Sequence, residues 1–111
     1  MPVLSTLNTE TLQSAAGATG NGTATDMAGV DAFSVAVSGT FVATVTFEGT
    51  IDGTTFFAVG LTPMAGGAAV TSATAPGQWY ASPVMALLQF RARVSAFTSG
   101  AVTVVVLKDY R

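Results

Sequence analysis

Two alternating runs that meet at a single Asp-Gly constrain this chain more than any other feature. In Thr40–Val59 (TFVATVTFEGTIDGTTFFAV), Phe41, Ala43, Val45 and Phe47 alternate with Val42, Thr44, Thr46 and Glu48, which is the period of a strand with one buried face. Asp52-Gly53 follows, a strong hairpin signal because a type I′ turn needs positive φ at both central positions. A two-residue loop sets Ile51 opposite Thr54, Gly49 opposite Phe56 and Phe47 opposite Ala58. That register puts Phe56 on the face of Phe41, Ala43, Val45 and Phe47, and turns Phe57 and Val59 to the other face with Val42.

Other segments repeat the rhythm. Asp31–Ser38 alternates Phe33, Val35 and Val37 against Ala32, Ser34, Ala36 and Ser38. Leu88–Ala96 sets Leu88, Phe90, Ala92, Val94 and Ala96 against Gln89, Arg91, Arg93 and Ser95, with Phe97–Gly100 as the next hairpin loop. Ala101–Leu107 is apolar on nearly both faces, so it is central in a sheet or covered by a partner. Shorter strands are expected at Thr9–Ala15, Gly22–Met27, Ala68–Thr74 and Gln78–Ser82. Leu61–Gly67 reads as a loop, Ala75–Gln78 as a type II turn with Gly77 at the third position, and Val84–Leu87 equally as a turn of helix or the approach to a strand. Strand–turn–strand spacing of about 8–12 residues is that of an all-β sandwich or barrel, and alternation in three separate strands predicts an antiparallel β-sandwich, jelly-roll-like. Its expected core is Phe41, Val45, Phe47, Phe56, Phe90 and Val94. Residues 1–8 lack a period and read as an N-terminal arm; residues 9–111 read as a single domain.

The sequence offers little to do chemistry with. It has no cysteine and no histidine, which removes thiolate metal sites, the usual general base and the commonest metal ligand. The Gly17–Gly22 loop (GATGNG) is not followed by Gly-Lys-Ser/Thr, so it is not a phosphate cradle. Glu10, Asp26, Asp31, Glu48, Asp52 and Asp109 are scattered, and turns account for Asp26, Asp31 and Asp52. No catalytic residue, cofactor or metal ligand is therefore assigned, and the chain is not expected to be an enzyme. Of the neighbours Trp79 and Tyr80, one points outward, as a sugar platform would, and the other joins the core. Charged residues are only 9% of the chain, against roughly 25% in ordinary domains. Such a surface is expected to be covered by a partner or by other copies. Four basic residues and a net charge of −2 argue against nucleic acid. No apolar run approaches the roughly 20 residues of a membrane span, and the first ten residues do not read as a signal peptide.

Several stretches together resemble small β-sandwich virion proteins of tailed bacteriophages, the capsid decoration (cement) proteins among them. They are Gly22-Thr23-Ala24, Val35–Phe41, Thr44–Thr50, Asp52–Phe56 and Arg91–Gly100. The likeness runs from about Gly22 to Leu107 and departs at Phe56, where Trp is more usual. The resemblance implies a non-enzymatic structural protein, made in the host bacterial cytoplasm. It would bind the major capsid protein on the head exterior in many copies and associate with itself, with a homotrimer favoured. The Asp-Gly-x-x-aromatic hairpin also occurs in jelly-roll carbohydrate-binding modules, so a tail or baseplate adhesion module is the alternative.

The two-sided apolar strands supply the expected self-interface: Phe57, Val59, Val105 and Leu107. Arg91 and Arg93 share a strand face; they either pair with Glu48 or contact an acidic partner, and with the arm they are the expected capsid contact.

Overall fold

The computed structural model describes residues 6–81 and 86–110. Ser82, the end of the expected Gln78–Ser82 strand, Pro83, and Val84 and Met85 of the Val84–Leu87 stretch lie outside the described residues. Among the described residues ten strands form: β1 (Thr6–Ala16), β2 (Thr25–Asp26), β3 (Val30–Ser38), β4 (Phe41–Thr50), β5 (Phe57–Ala58), β6 (Thr62–Pro63), β7 (Ser72–Ala73), β8 (Gly77–Tyr80), β9 (Gln89–Gly100) and β10 (Val102–Tyr110). They build two antiparallel sheets, β1-β10-β3-β8-β6 and β2-β9-β4-β5, with β7 also on β4. The chain changes sheet at every connection except that between β4 and β5, the interleaving of a jelly roll. The all-β antiparallel sandwich expected from alternation is the fold.

The long strands follow their patterns except at the ends of β9, where Leu88, just before the strand, is 46% exposed and a bulge after Val94 leaves Ala96 exposed and packs Phe97 against the core. Phe33, Val35 and Val37 of β3, Val45 and Phe47 of β4, Phe90, Ala92 and Val94 of β9, and Val102, Val104 and Val106 of β10 are all buried. Aromatic contacts cross between the sheets: Phe33 meets Phe90 at 5.0 Å, and Phe47 meets Trp79 at 5.4 Å between ring centroids. Strand β10 is central, between β1 and β3; its Val102, Val104 and Val106 face the core, whereas Val105 and Leu107 face outward, with Leu107 38% exposed. Trp79 is buried and Tyr80 exposed, the division their adjacency dictates.

The central hairpin differs from expectation. Glu48 faces Ala58 and Gly49 faces Phe57, one residue off the two-residue-loop register. Gly53 takes φ +80, but Asp52 has no positive φ, so the turn is not type I′. Instead the Asp52 carboxylate accepts from the amides of Thr54 at 2.8 Å and Thr55 at 2.9 Å and from the Thr50 hydroxyl at 2.9 Å. Local bonds of this kind widen a loop that Asp-Gly alone would have closed tightly. A one-residue slip moves side chains to the other face. Phe56 accordingly leaves the expected core and lies against Arg91, while Phe41 packs at the core margin.

Three smaller corrections follow from pairing. Thr6–Asn8, assigned to the arm, already pair with Tyr110–Lys108. Phe97–Gly100 is not a loop: β9 runs through it to a change of sheet. Gly77 lacks the positive φ of a type II turn and opens β8.

Candidate functional site

On the outer face of the β2-β9-β4-β5 sheet, alternation along β9 brings Arg91 and Arg93 to the side away from buried Phe90, Ala92 and Val94. Pairing with β4 sets Glu48 opposite Arg91 and Thr46 opposite Arg93. Arg91 Nε donates to Glu48 Oε1 at 2.8 Å, and Arg93 Nε donates to Glu48 Oε2 at 3.0 Å. Of the two readings of the arginines, the intramolecular pair is realised. One nearly buried carboxylate shares both oxygens between two guanidiniums, so the cluster carries a net charge of +1. The Arg91 guanidinium also lies 3.9 Å from the centre of the Phe56 ring, a cation–π contact. Arg93 remains 39% exposed along its side chain and is the outward part of the cluster.

The opposite outer face, on the β1-β10-β3-β8-β6 sheet, is neutral over most of its breadth. Thr9, Leu107, Ser34 and Tyr80 form one row across it, and Thr11, Val105, Ala36 and Gln78 the next. Small side chains on β3 leave it concave. A depression of about 280 Å³ is lined by Thr9, Ser34, Ala36, Gln78, Val105 and Leu107, among others. A shallower groove of about 630 Å³ continues past Met64 and Gln78 to Pro76 and Trp79.

The four residues expected to form one interface are not brought together. Val105 and Leu107 lie on this neutral face, whereas Phe57 and Val59 follow β4 in the other sheet. Phe57 is 70% exposed, but Val59 donates its amide to the Phe47 carbonyl at 2.8 Å and packs on the core.

Sequence reading missed an interior polar cluster. Lys108 is 3% exposed, and its Nζ reaches the Thr25 hydroxyl at 2.7 Å, the Asp26 carbonyl at 3.1 Å and Glu10 Oε1 at 3.2 Å. The Thr25 hydroxyl also donates to Glu10. The signal was available: Val102, Val104, Val106 and Lys108 share one face of β10. The Thr25 hydrogen bond, and then Lys108, hold the Glu10 carboxyl below its ordinary value. Burial works against the Lys108 charge, but hydrogen bonds with Tyr110 and Glu10 outweigh it and raise its pKa. These contacts join strands of both sheets, so the cluster ties the sandwich together at one side. Among the described residues no three His, Cys, Asp or Glu side chains gather as a metal site would require. Nor, among these residues, is any helix long and apolar enough to cross a membrane.

No family model matches the sequence, and no curated protein sequence does. Solved structures do match. The chain superposes on the SPBc2 prophage-derived protein YomS with a TM-score of 0.87 at 15% identity, covering 98% of this chain and 97% of YomS. It superposes on the PBSX exported protein XepA with a TM-score of 0.90 at 14% identity, covering 98% of this chain and 39% of XepA. At these identities the likeness establishes the fold. The same sandwich makes up nearly all of one protein and a part of the other.

Proposed function

We propose that this chain is a non-enzymatic structural protein of a tailed-phage particle, a decoration protein that binds the major capsid protein in many copies on the head exterior. The full-length likeness to YomS, a prophage-derived protein by name, is the observation that carries the reading. The phage-virion resemblance of the sequence and the low charge of the surface support it. In this reading the Arg91–Glu48–Arg93 cluster meets the shell. One glutamate leaves a positive charge over, and an acidic side chain of the capsid protein would complete its neutralisation through Arg93. A modest contact repeated over a lattice stabilises the assembled shell because it exists only there. Self-association would use the neutral face that carries Val105 and Leu107.

Adding the purified protein to shells that lack it, followed by cryo-electron microscopy, tests the reading. Density at regular lattice positions is expected, with occupancy reduced by Arg93→Glu. Bare heads, or density confined to the tail tip, would overturn it.

One observation favours the carbohydrate-binding alternative: exposed Tyr80 stands beside Gln78, Ser34 and the neutral depression. Tyr80, and not buried Trp79, would then be the stacking ring. Glycan-array binding that is lost in Tyr80→Ala would establish that reading instead.

A further inference from the structure

We propose that the open edge of β1 pairs with β1 of a second copy, antiparallel about a two-fold axis, and joins two sheets into one. Strand β1 is 11 residues long and lies at the end of its sheet. From Thr6 opposite Tyr110 to Thr11 opposite Val105, its register with β10 is unbroken. In an antiparallel ladder alternate residues turn N–H and C=O toward the neighbour, and those between turn both away. Among the described residues, no strand meets the outward groups of Thr6–Thr11.

Sheet edges are ordinarily blunted by shortness, proline, charge or bulges. The other edge strands follow that rule: β2, β5, β6 and β7 have two residues each, and β6 ends in Pro63. Strand β1 follows it only beyond Thr11. There Leu12 is an extra residue in the register, Thr23 N donates to the Leu12 carbonyl at 2.9 Å, and Ala15 takes φ +48. The stretch before it has none of these devices. Its single charge, on Glu10, is turned to Thr25 and Lys108, while Thr6, Leu7, Asn8, Thr9 and Thr11 are exposed.

The occupant this edge suits is an extended, neutral strand, and β1 is itself one. Pairing centred on Thr9 sets Leu7 opposite the partner's Thr11 and Asn8 opposite the partner's Glu10. Directly opposed residues share a face. Leu7, Thr9 and Thr11 of both copies would therefore continue the neutral face beyond Leu107 and Val105, which sit beside Thr9 and Thr11. A slip to a centre on Glu10 would oppose like charges. The symmetry is two-fold where the sequence led us to expect three-fold. It does not depend on the virion reading.

The chain has no cysteine, so engineered thiols report the pairing directly. Opposed Cα atoms in an antiparallel pair are about 4.5–5.5 Å apart, within disulfide range. Under mild oxidation, Thr9→Cys should cross-link to a dimer as its main product. Phe57→Cys, exposed on the other sheet, should cross-link at least ten-fold less. Light scattering of the unmodified protein should give twice the chain mass at high concentration, halved by Thr9→Lys. A wild-type mass of one chain at millimolar concentration, or equal cross-linking at Thr9 and Phe57, would overturn the proposal. Should Thr9→Cys fail to fold by circular dichroism, the wild-type mass decides.

Discussion

The amide of Ala101 donates to the carbonyl of Thr40 at 3.0 Å, tying together the two turns at which β3 leads into β4 and β9 into β10. Both turns rest on glycine. Gly39 takes φ +111 and Gly100 takes φ +95, and a Cβ on either would overlap a carbonyl of the opposing turn, Ala101 for Gly39 and Thr40 for Gly100. The sheets thus exchange strands where two backbones touch with no side chain between them.

Gly100→Ala is therefore expected to be among the more damaging single-methyl changes in the molecule. Gly66 provides the control, with φ +102 and nothing within 4 Å of an added Cβ. Gly66→Ala should lose only the backbone term, about 1–3 kcal/mol, and Gly100→Ala clearly more. Urea melts of both variants check this; equal losses would mean that the two turns can part without cost.

Phe47 is completely buried and packs against Trp79 across the sandwich. Phe47→Ala should cost roughly 3–5 kcal/mol in denaturant unfolding. A loss below about 1 kcal/mol would be incompatible with a core position of this kind.

Glu48→Gln removes the charge that holds two guanidiniums side by side at 2.8 and 3.0 Å. The expected loss is about 1–3 kcal/mol, less than for a fully enclosed pair because Arg93 is partly solvated. Added salt should restore part of it by screening the partly solvated Arg93 from Arg91, while changing the wild type little. Thermal melts at low and high ionic strength distinguish the two.

Stability should fall at both ends of the pH scale. The folded-state pKa of Glu10 is lowered, by the Thr25 hydrogen bond first. Its contribution is thus present above the unfolded carboxylate pKa of about 4.3 and lost as pH falls through the folded value. Asp52, held down by the amides of Thr54 and Thr55, acts in the same direction. Lys108 is raised against the opposing effect of burial. Its contribution is present below the unfolded lysine pKa of about 10.4 and lost as pH rises through the folded one. Melting temperature against pH should show a plateau between roughly pH 5 and 9, with Glu10→Gln flattening the acid limb. An unchanged acid limb in that variant would remove Glu10 from the account.

Alternation by itself determined that this chain is a sandwich of antiparallel strands, and which residues of β3, of β4 and of β9 as far as Val94 face its core; beyond Val94 a bulge in the pairing with β4 turned Ala96 out and Phe97 in. Side-chain direction along a strand has a period of two, a local property that needs no knowledge of neighbours. It also placed Arg91 and Arg93 on one face, while leaving their partner open. Only the tertiary structure decided what the strands meet. Asp52 bonded to its own loop and shifted the hairpin by one residue, which sent Phe56 to Arg91 and left Phe57 exposed. Changes of sheet at Gly39 and Gly100 separated Phe57 from Leu107, although both are apolar residues on two-sided strands. Lys108 went inside because Glu10, Thr25 and the Asp26 carbonyl, distant in sequence, converged on its ammonium group. Burying a charge is tolerable only where such partners meet, and that convergence is a property of the assembled sheets.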